Sequence, residues 1–315
     1  MRNLSLMLII VKKGCPVMKK KTIVVYLVFA FALAWIVWGI LAMLGVSLTS
    51  PAGTVVVAIT MFAPAAAVLI AKKTSGGVRV FEPSFKPKFK GHVRWYLCAW
   101  LIPIAFLILG GILYFVIFRS QFDPGLAAVR STLESKSGTA VTDSALHNAI
   151  IIEIVVAITV NVITSMVLAF GEEIGWRGFL FPAVRGRTNA VKAYIICGAI
   201  WGLWHAPIIA MGHNFGFGYT GYPWLGILAM VPLCIGMGTF LSYVTGKTGS
   251  IWPAALGHGT INAVSGLPSL FLTKESLDLM NTDGSLGYGF ITVIPLMVLA
   301  IVLIAASARK RKIND

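Results

Sequence analysis

The sequence predicts an all-α, polytopic membrane helix bundle with about eight transmembrane helices. Three observations predict it. The 315 residues are 57% hydrophobic and only 12% charged, a balance that soluble domains of this length do not show. Several apolar runs are each long enough to cross a bilayer core of about 30 Å, which takes about 20 helical residues. The basic residues, finally, are spread unevenly between alternate connections. A backbone in hydrocarbon must satisfy its own hydrogen bonds, and the period-2 alternation of barrel strands is absent, so the runs are read as helices.

The runs fall at 23–45, 52–71, 95–118, 148–171, 192–211, 224–245, 250–272 and 286–308. The first follows Lys19-Lys20-Lys21 and reaches Gly45. It outlasts the apolar stretch of about 7–15 residues in a signal peptide, so it reads as a retained helix. The second and third flank a basic loop, 72–94. The third and fourth flank a polar loop, 119–147, whose Asp123-Pro124-Gly125 and Ser/Thr run suggest partial order on the membrane surface. The fourth is expected to continue inward past Gly171, because no long break precedes Pro182. The chain thus divides into a basic cytoplasmic segment (1–22), a membrane domain (23–308) whose motif-bearing part is 150–270, and a basic cytoplasmic tail (309–315). Residues 1–17 are weakly patterned, and Met18 before three lysines reads as a natural start.

The net charge of +15 does not call for nucleic acid. With the N-terminus inside, 22 of the 26 Lys and Arg residues fall on inner segments. Only Arg119, Arg130, Lys136 and Lys274 fall on outer ones, with six of the eleven acidic residues. That is the positive-inside bias of a protein with both termini in the cytoplasm. The surplus also suits contact with anionic lipid, and no zinc finger or aromatic-basic RNA motif accompanies it. Cys15, Cys98, Cys197 and Cys234 are scattered and form no CxxC pair; they predict neither a disulfide nor a cysteine metal site.

Ionisable groups at membrane depth each carry an insertion penalty of about 2.5–3.5 kcal/mol near the bilayer centre. Here they are Glu153, Glu172, Glu173, Arg177, His205 and His258, with Asn262 as a neutral companion. Glu173 and Arg177 are four apart and share a helix face, which predicts an ion pair. Glu172 points about 100° away, toward a different neighbour and available for chemistry. Trp201 precedes His205 by one turn, and His258 precedes Asn262 by one turn. Glu172 lies thirteen residues before Arg185 and His205 thirteen after Lys192, so the two are expected at similar depth on antiparallel neighbours. Gly171, Gly175 and Gly178 on one helix and Gly198 and Gly202 on the next have the small-xxx-small spacing of closely packed helices, and are expected to face each other. Glu153 reads as an outer-interface or hydrogen-bonded residue, and His92, His147 and His213 as interfacial.

The order EExxxR, aromatic-xxx-His, HxxxN over residues 150–270 resembles the CAAX-protease and bacteriocin-processing family, whose eukaryotic branch contains the Ras-converting prenyl-protein endopeptidase. The resemblance implies a glutamic-type intramembrane endopeptidase, in the cell membrane of a prokaryote, acting on a membrane-associated peptide or protein. It implies Glu172 as general base with His205 activating a water, His258 and Asn262 as oxyanion stabilisers, and Glu173, Arg177 and Trp201 in support. Trp201 stands where the family usually has Phe. The chemistry is coherent, since a carboxylate and imidazole can activate water and a donor aimed at an oxyanion in a dry site contributes roughly 3–4 kcal/mol.

No cofactor is expected. A zinc metalloprotease using Glu172, His205 and His258 as ligands is an alternative, although HExxH is absent. A transporter, channel or bacteriocin-immunity protein using the same cluster for binding is another, without the inverted repeats or paired interrupted helices of many transporters. Serine (GxSG) and aspartate (GxGD) protease motifs are absent, and Gly246-Lys247-Thr248 lacks the first glycine of a phosphate loop, Leu241 standing there.

Overall fold

The protein is described by a computed structural model covering residues 18–74 and 85–314. The extension 1–17 with Cys15, part of the basic inner loop (75–84) and Asp315 lie outside the described residues. The helices in chain order are α1 Lys20–Met43, α2 Pro51–Thr60, α3 Ala63–Thr74, α4 Val93–Ile117, α5 Ala127–Ser137, α6 Asp143–Ile158, α7 Val160–Gly175 and α8 Phe181–Arg185. They continue with α9 Ala190–Trp204, α10 Ala206–Ile209, α11 Trp224–Thr248, α12 Trp252–Val264, α13 Lys274–Thr282, α14 Leu286–Ile291 and α15 Ile294–Asn314. There is no β-strand among the described residues, and an isolated antiparallel bridge joins Phe122 and Leu272.

This is an all-α membrane bundle. Six helical segments are long and apolar enough to span: Lys20–Met43, Pro51–Thr74, Val93–Ile117, Asp143–Arg185, Trp224–Thr248 and Leu286–Arg309. They are predominantly apolar, and residues such as Ile36 and Val160 point outward where lipid tails lie. The two other apolar runs fold as shorter helices, α9 with 15 residues and α12 with 13. Proline explains both. Pro207 has no N–H to return to Leu203, so α9 stops at Trp204 and the chain resumes as α10. Pro268 likewise follows the end of α12, in a 3₁₀ turn over Leu267–Phe271. Of the eight apolar runs, six are thus long enough to span and two fold as shorter helices.

The fourth span follows the expected inward course. After one irregular residue at Thr159, α7 runs into a π turn at Trp176–Leu180 and then into α8. Pro182 cannot donate to Gly178, and the wider turn just before it absorbs the missing bond. Side chains cap several other ends: Ser50 accepts from Gly53 N–H, Thr142 from Ala145 N–H and Asn189 from Lys192 N–H. The polar outer loop is ordered, with Asp123 capping the turn into α5 and Leu126, Leu146 and Ile150 packing under Leu270 and Phe271. Cys98, Cys197 and Cys234 are free.

In the core, α7 lies between α12 and α3, while α9 packs along α11. This corrects the expected glycine contact between the fourth and fifth runs. Side chains added at Gly198 and Gly202 would strike the backbone of Ile235 and Val231 on α11. Those at Gly171 and Gly175 would strike Met61, Phe62 and Pro64 at the α2–α3 junction. The spacing of small residues marks a helix face that is approached closely, but does not say by which neighbour.

α12 also lies close against α7, where a Cβ on Gly259 would fall 2.4 Å from the Met166 nitrogen. Gly259→Ala should therefore destabilise the bundle by about 1–3 kcal/mol, whereas Gly39→Ala, in open space within α1, should be neutral or stabilise slightly. Thermal unfolding followed by circular dichroism in detergent checks both; equal melting temperatures for the two variants would contradict the packing described.

Candidate active site

The polar cluster is built where α7, α9 and α12 converge. Helical spacing sends consecutive glutamates to different partners. Glu173 is fully buried, and its Oε1 accepts from Arg177 Nη1 at 2.8 Å on its own helix and pairs with His258 Nδ1 at 2.8 Å on α12. The Glu173–Arg177 pair is the one expected from the i, i+4 spacing; the bond to His258 was not foreseen. Glu173 Oε2 is buried without a partner.

Glu172 is 3% exposed. Its Oε2 accepts two indole N–H bonds, from Trp176 at 3.0 Å and from Trp201 at 2.8 Å. Its Oε1 receives no hydrogen bond from the described residues. Trp201 therefore holds Glu172 from α9, while its ring lies under the Arg177 guanidinium at 4.3 Å and against His258 at 5.1 Å. Neither Trp176 nor the indole N–H of Trp201 was singled out as a donor from sequence. The signal was available in the i, i+4 relation of Glu172 and Trp176, and in the presence of tryptophan rather than phenylalanine at 201.

His205 sits at the break between α9 and α10 and is half-buried. Its Nδ1 lies 2.9 Å from the Trp201 carbonyl oxygen. A carbonyl only accepts, so Nδ1 carries the proton and Nε2 is the nitrogen left to act. Glu172 and His205 share no direct hydrogen bond; Trp201 stands between them, bonded to one through its side chain and to the other through its backbone. His258 is within electrostatic reach of both.

Asn262 lies one turn beyond His258, but its side chain is exposed and makes no hydrogen bond to His258. The structure thus gathers Glu172, Glu173, Arg177, Trp201 and His258 in direct contact, places His205 beside Trp201, and leaves Asn262 at the margin. Glu153 is exposed on α6, away from the cluster. A cavity of about 10 Å³ adjoins Arg177 and Trp201, lined also by Cys197, Gly198, Gly238 and Ser242; that is room for roughly one water.

Among the described residues no group of three His, Cys, Asp or Glu side chains is placed to hold a metal ion.

Residues 153–264 match the family model described as "Type II CAAX prenyl endopeptidase Rce1-like". Over 96 residues the chain is 32% identical to the protein named CAAX prenyl protease 2 of Methanococcus maripaludis. The aligned stretch is 29% of this chain and 34% of that relative, so the likeness spans about a third of the relative's length. The family-model segment contains every residue of the cluster described above.

Glu173→Ala strands the Arg177 guanidinium in the core, and should lower the unfolding free energy by about 3–5 kcal/mol. Replacing both partners with apolar residues, Glu173→Leu with Arg177→Leu, should recover much of that loss. Denaturant unfolding in micelles measures both; a fully stable Glu173→Ala single variant would show that the pair does not hold the helices.

Proposed function

We propose that the chain, whose residues 153–264 match the type II CAAX prenyl endopeptidase family model, is a glutamic-type intramembrane endopeptidase that hydrolyses a peptide bond in a membrane-associated peptide or protein. The observation that carries this reading is the condition of Glu172. A buried carboxylate has one oxygen fixed by two indole donors and the other left unbonded, with His258 within electrostatic reach on α12 and His205 linked to it through Trp201 on α9.

In this reading Glu172 Oε1 takes a proton from the attacking water, and His205, whose Nε2 is the available nitrogen, orients that water as it approaches the scissile carbonyl. His258 serves the developing oxyanion. With Nδ1 turned to a carboxylate, its Nε2 can donate only when the ring carries both protons, and Glu173 is the counter-charge that supports that imidazolium. Glu173 and Arg177 hold His258 and Trp201 in place. Asn262, exposed one turn beyond His258, is placed to meet an incoming chain and add a second oxyanion donor. The six spans put this chemistry in a membrane, and the basic inner segments orient the termini to the cytoplasm. The cavity beside Arg177 lies toward the α8–α9 turn, the cytoplasmic side in that orientation, from which water would enter. No metal is required at any step.

Purified protein should cleave a membrane-associated peptide, and Glu172→Ala, His205→Ala and His258→Ala should each lower turnover by about 10²-fold or more with the fold intact. Asn262→Ala should lower it by roughly 10²-fold. Mass spectrometry of membrane peptides from cells carrying the intact or the Glu172→Ala protein identifies the substrate; full turnover by Glu172→Ala refutes the assignment of the base. Cleavage should also persist in a strong zinc chelator, and chelator-sensitive activity restored by zinc would favour the metalloprotease alternative.

A further inference from the structure

Tyr26, on α1, lies outside the segment matched by the family model and outside the motif-bearing region. Its side chain is fully buried, and its hydroxyl has no hydrogen-bond partner. The ring packs on Phe179 at 4.6 Å and edge-on to Trp176 at 6.1 Å. A Cβ on Gly175 would fall 2.6 Å from the hydroxyl oxygen, so that oxygen rests on the bare backbone of Gly175. Glu172, Gly175, Trp176 and Phe179 share one face of the helix by their i, i+3, i+4 and i+7 spacing. The first span therefore lays a phenol hydroxyl along the same face that carries Glu172. The groups that act electrostatically on it are Cys197, Glu172, Arg177 and Glu173.

A buried hydroxyl without a partner works against folding, and phenylalanine would fill the same space without that penalty. The hydroxyl points instead to a task. Glu172 has an unused acceptor in Oε1, and its Oε2 is already saturated by two indoles. We propose that Tyr26 is a positioning residue for Glu172: its hydroxyl, unbonded in this structure and resting on Gly175, donates to the free carboxylate oxygen when the Glu172 side chain turns toward it, and so holds that side chain in its reactive orientation. The inference rests on the reading of Glu172 as general base. It brings α1 into the site, against a glycine that Pro64 also crowds.

The test is Tyr26→Phe in the full-length protein, read in two ways. Loss of a positioning hydrogen bond to a carboxylate should reduce kcat about tenfold with KM within about twofold, while the melting temperature stays the same or rises. Tyr288→Phe, which removes a second buried phenol hydroxyl found without a partner among the described residues, on α14 away from the cluster, should leave kcat unchanged. Independently of turnover, the infrared carboxylate band of Glu172, isolated as the difference between wild type and Glu172→Gln, should move when Tyr26 is replaced by Phe. An unmoved band overturns the proposal, as does a fall in activity matched by loss of folded protein. If wild type cleaves no peptide while the band still moves, the endopeptidase reading fails and the Tyr26–Glu172 interaction stands.

Discussion

Glu173 is the constraint on which the rest of the structure depends. A carboxylate with no exposed surface, inside a bundle that crosses a membrane, is tolerated only if positive or donor groups surround it. One of its oxygens holds both Arg177 from its own helix and His258 from α12. The pair on α7 answers a local need for charge balance. The bond to α12 turns that need into a fixed distance between two helices, and it is reinforced where Gly259 lets α12 press against the α7 backbone at Met166. An ion pair and a glycine thus set one separation from two ends.

Trp201 extends this arrangement to α9. Its N–H binds Glu172, its ring lies under Arg177 and against His258, and its carbonyl fixes the tautomer of His205. A phenylalanine could supply the ring contacts but not the N–H. Tryptophan at 201 therefore adds a hydrogen bond to the way Glu172 is held. With Trp176 donating to the same oxygen, the carboxylate presents a single free face. The π turn that follows Glu173, made necessary by Pro182, widens the helix beside these side chains. Irregular helix in a membrane is sustainable here because the turn is buried in protein.

The breaks in α9 and α12 serve the same end. Spans of 15 and 13 residues are shorter than the hydrocarbon core, and their interrupted ends bring His205 and Asn262 to partly accessible positions among otherwise buried residues. Pro207 removes one backbone donor just after the end of α9, at the break where the half-buried imidazole of His205 stands.

The sequence by itself determined the all-helical membrane class, the approximate place of each apolar run, the inward continuation past Gly171 to Pro182, and the Glu173–Arg177 pair. Each follows from rules within one helix: apolar length, charge distribution, and the i, i+4 spacing. Only the tertiary structure decided that Gly198 and Gly202 face α11 while Gly171 and Gly175 face the α2–α3 junction, that His258 bonds Glu173 rather than Asn262, that two indoles hold Glu172, and that Tyr26 of α1 reaches the same face. The physical reason is that periodicity fixes which residues share a face but leaves the azimuth of each helix about its own axis undetermined. That angle is set only when every span packs at once, with the buried carboxylates selecting the rotation that gives them partners.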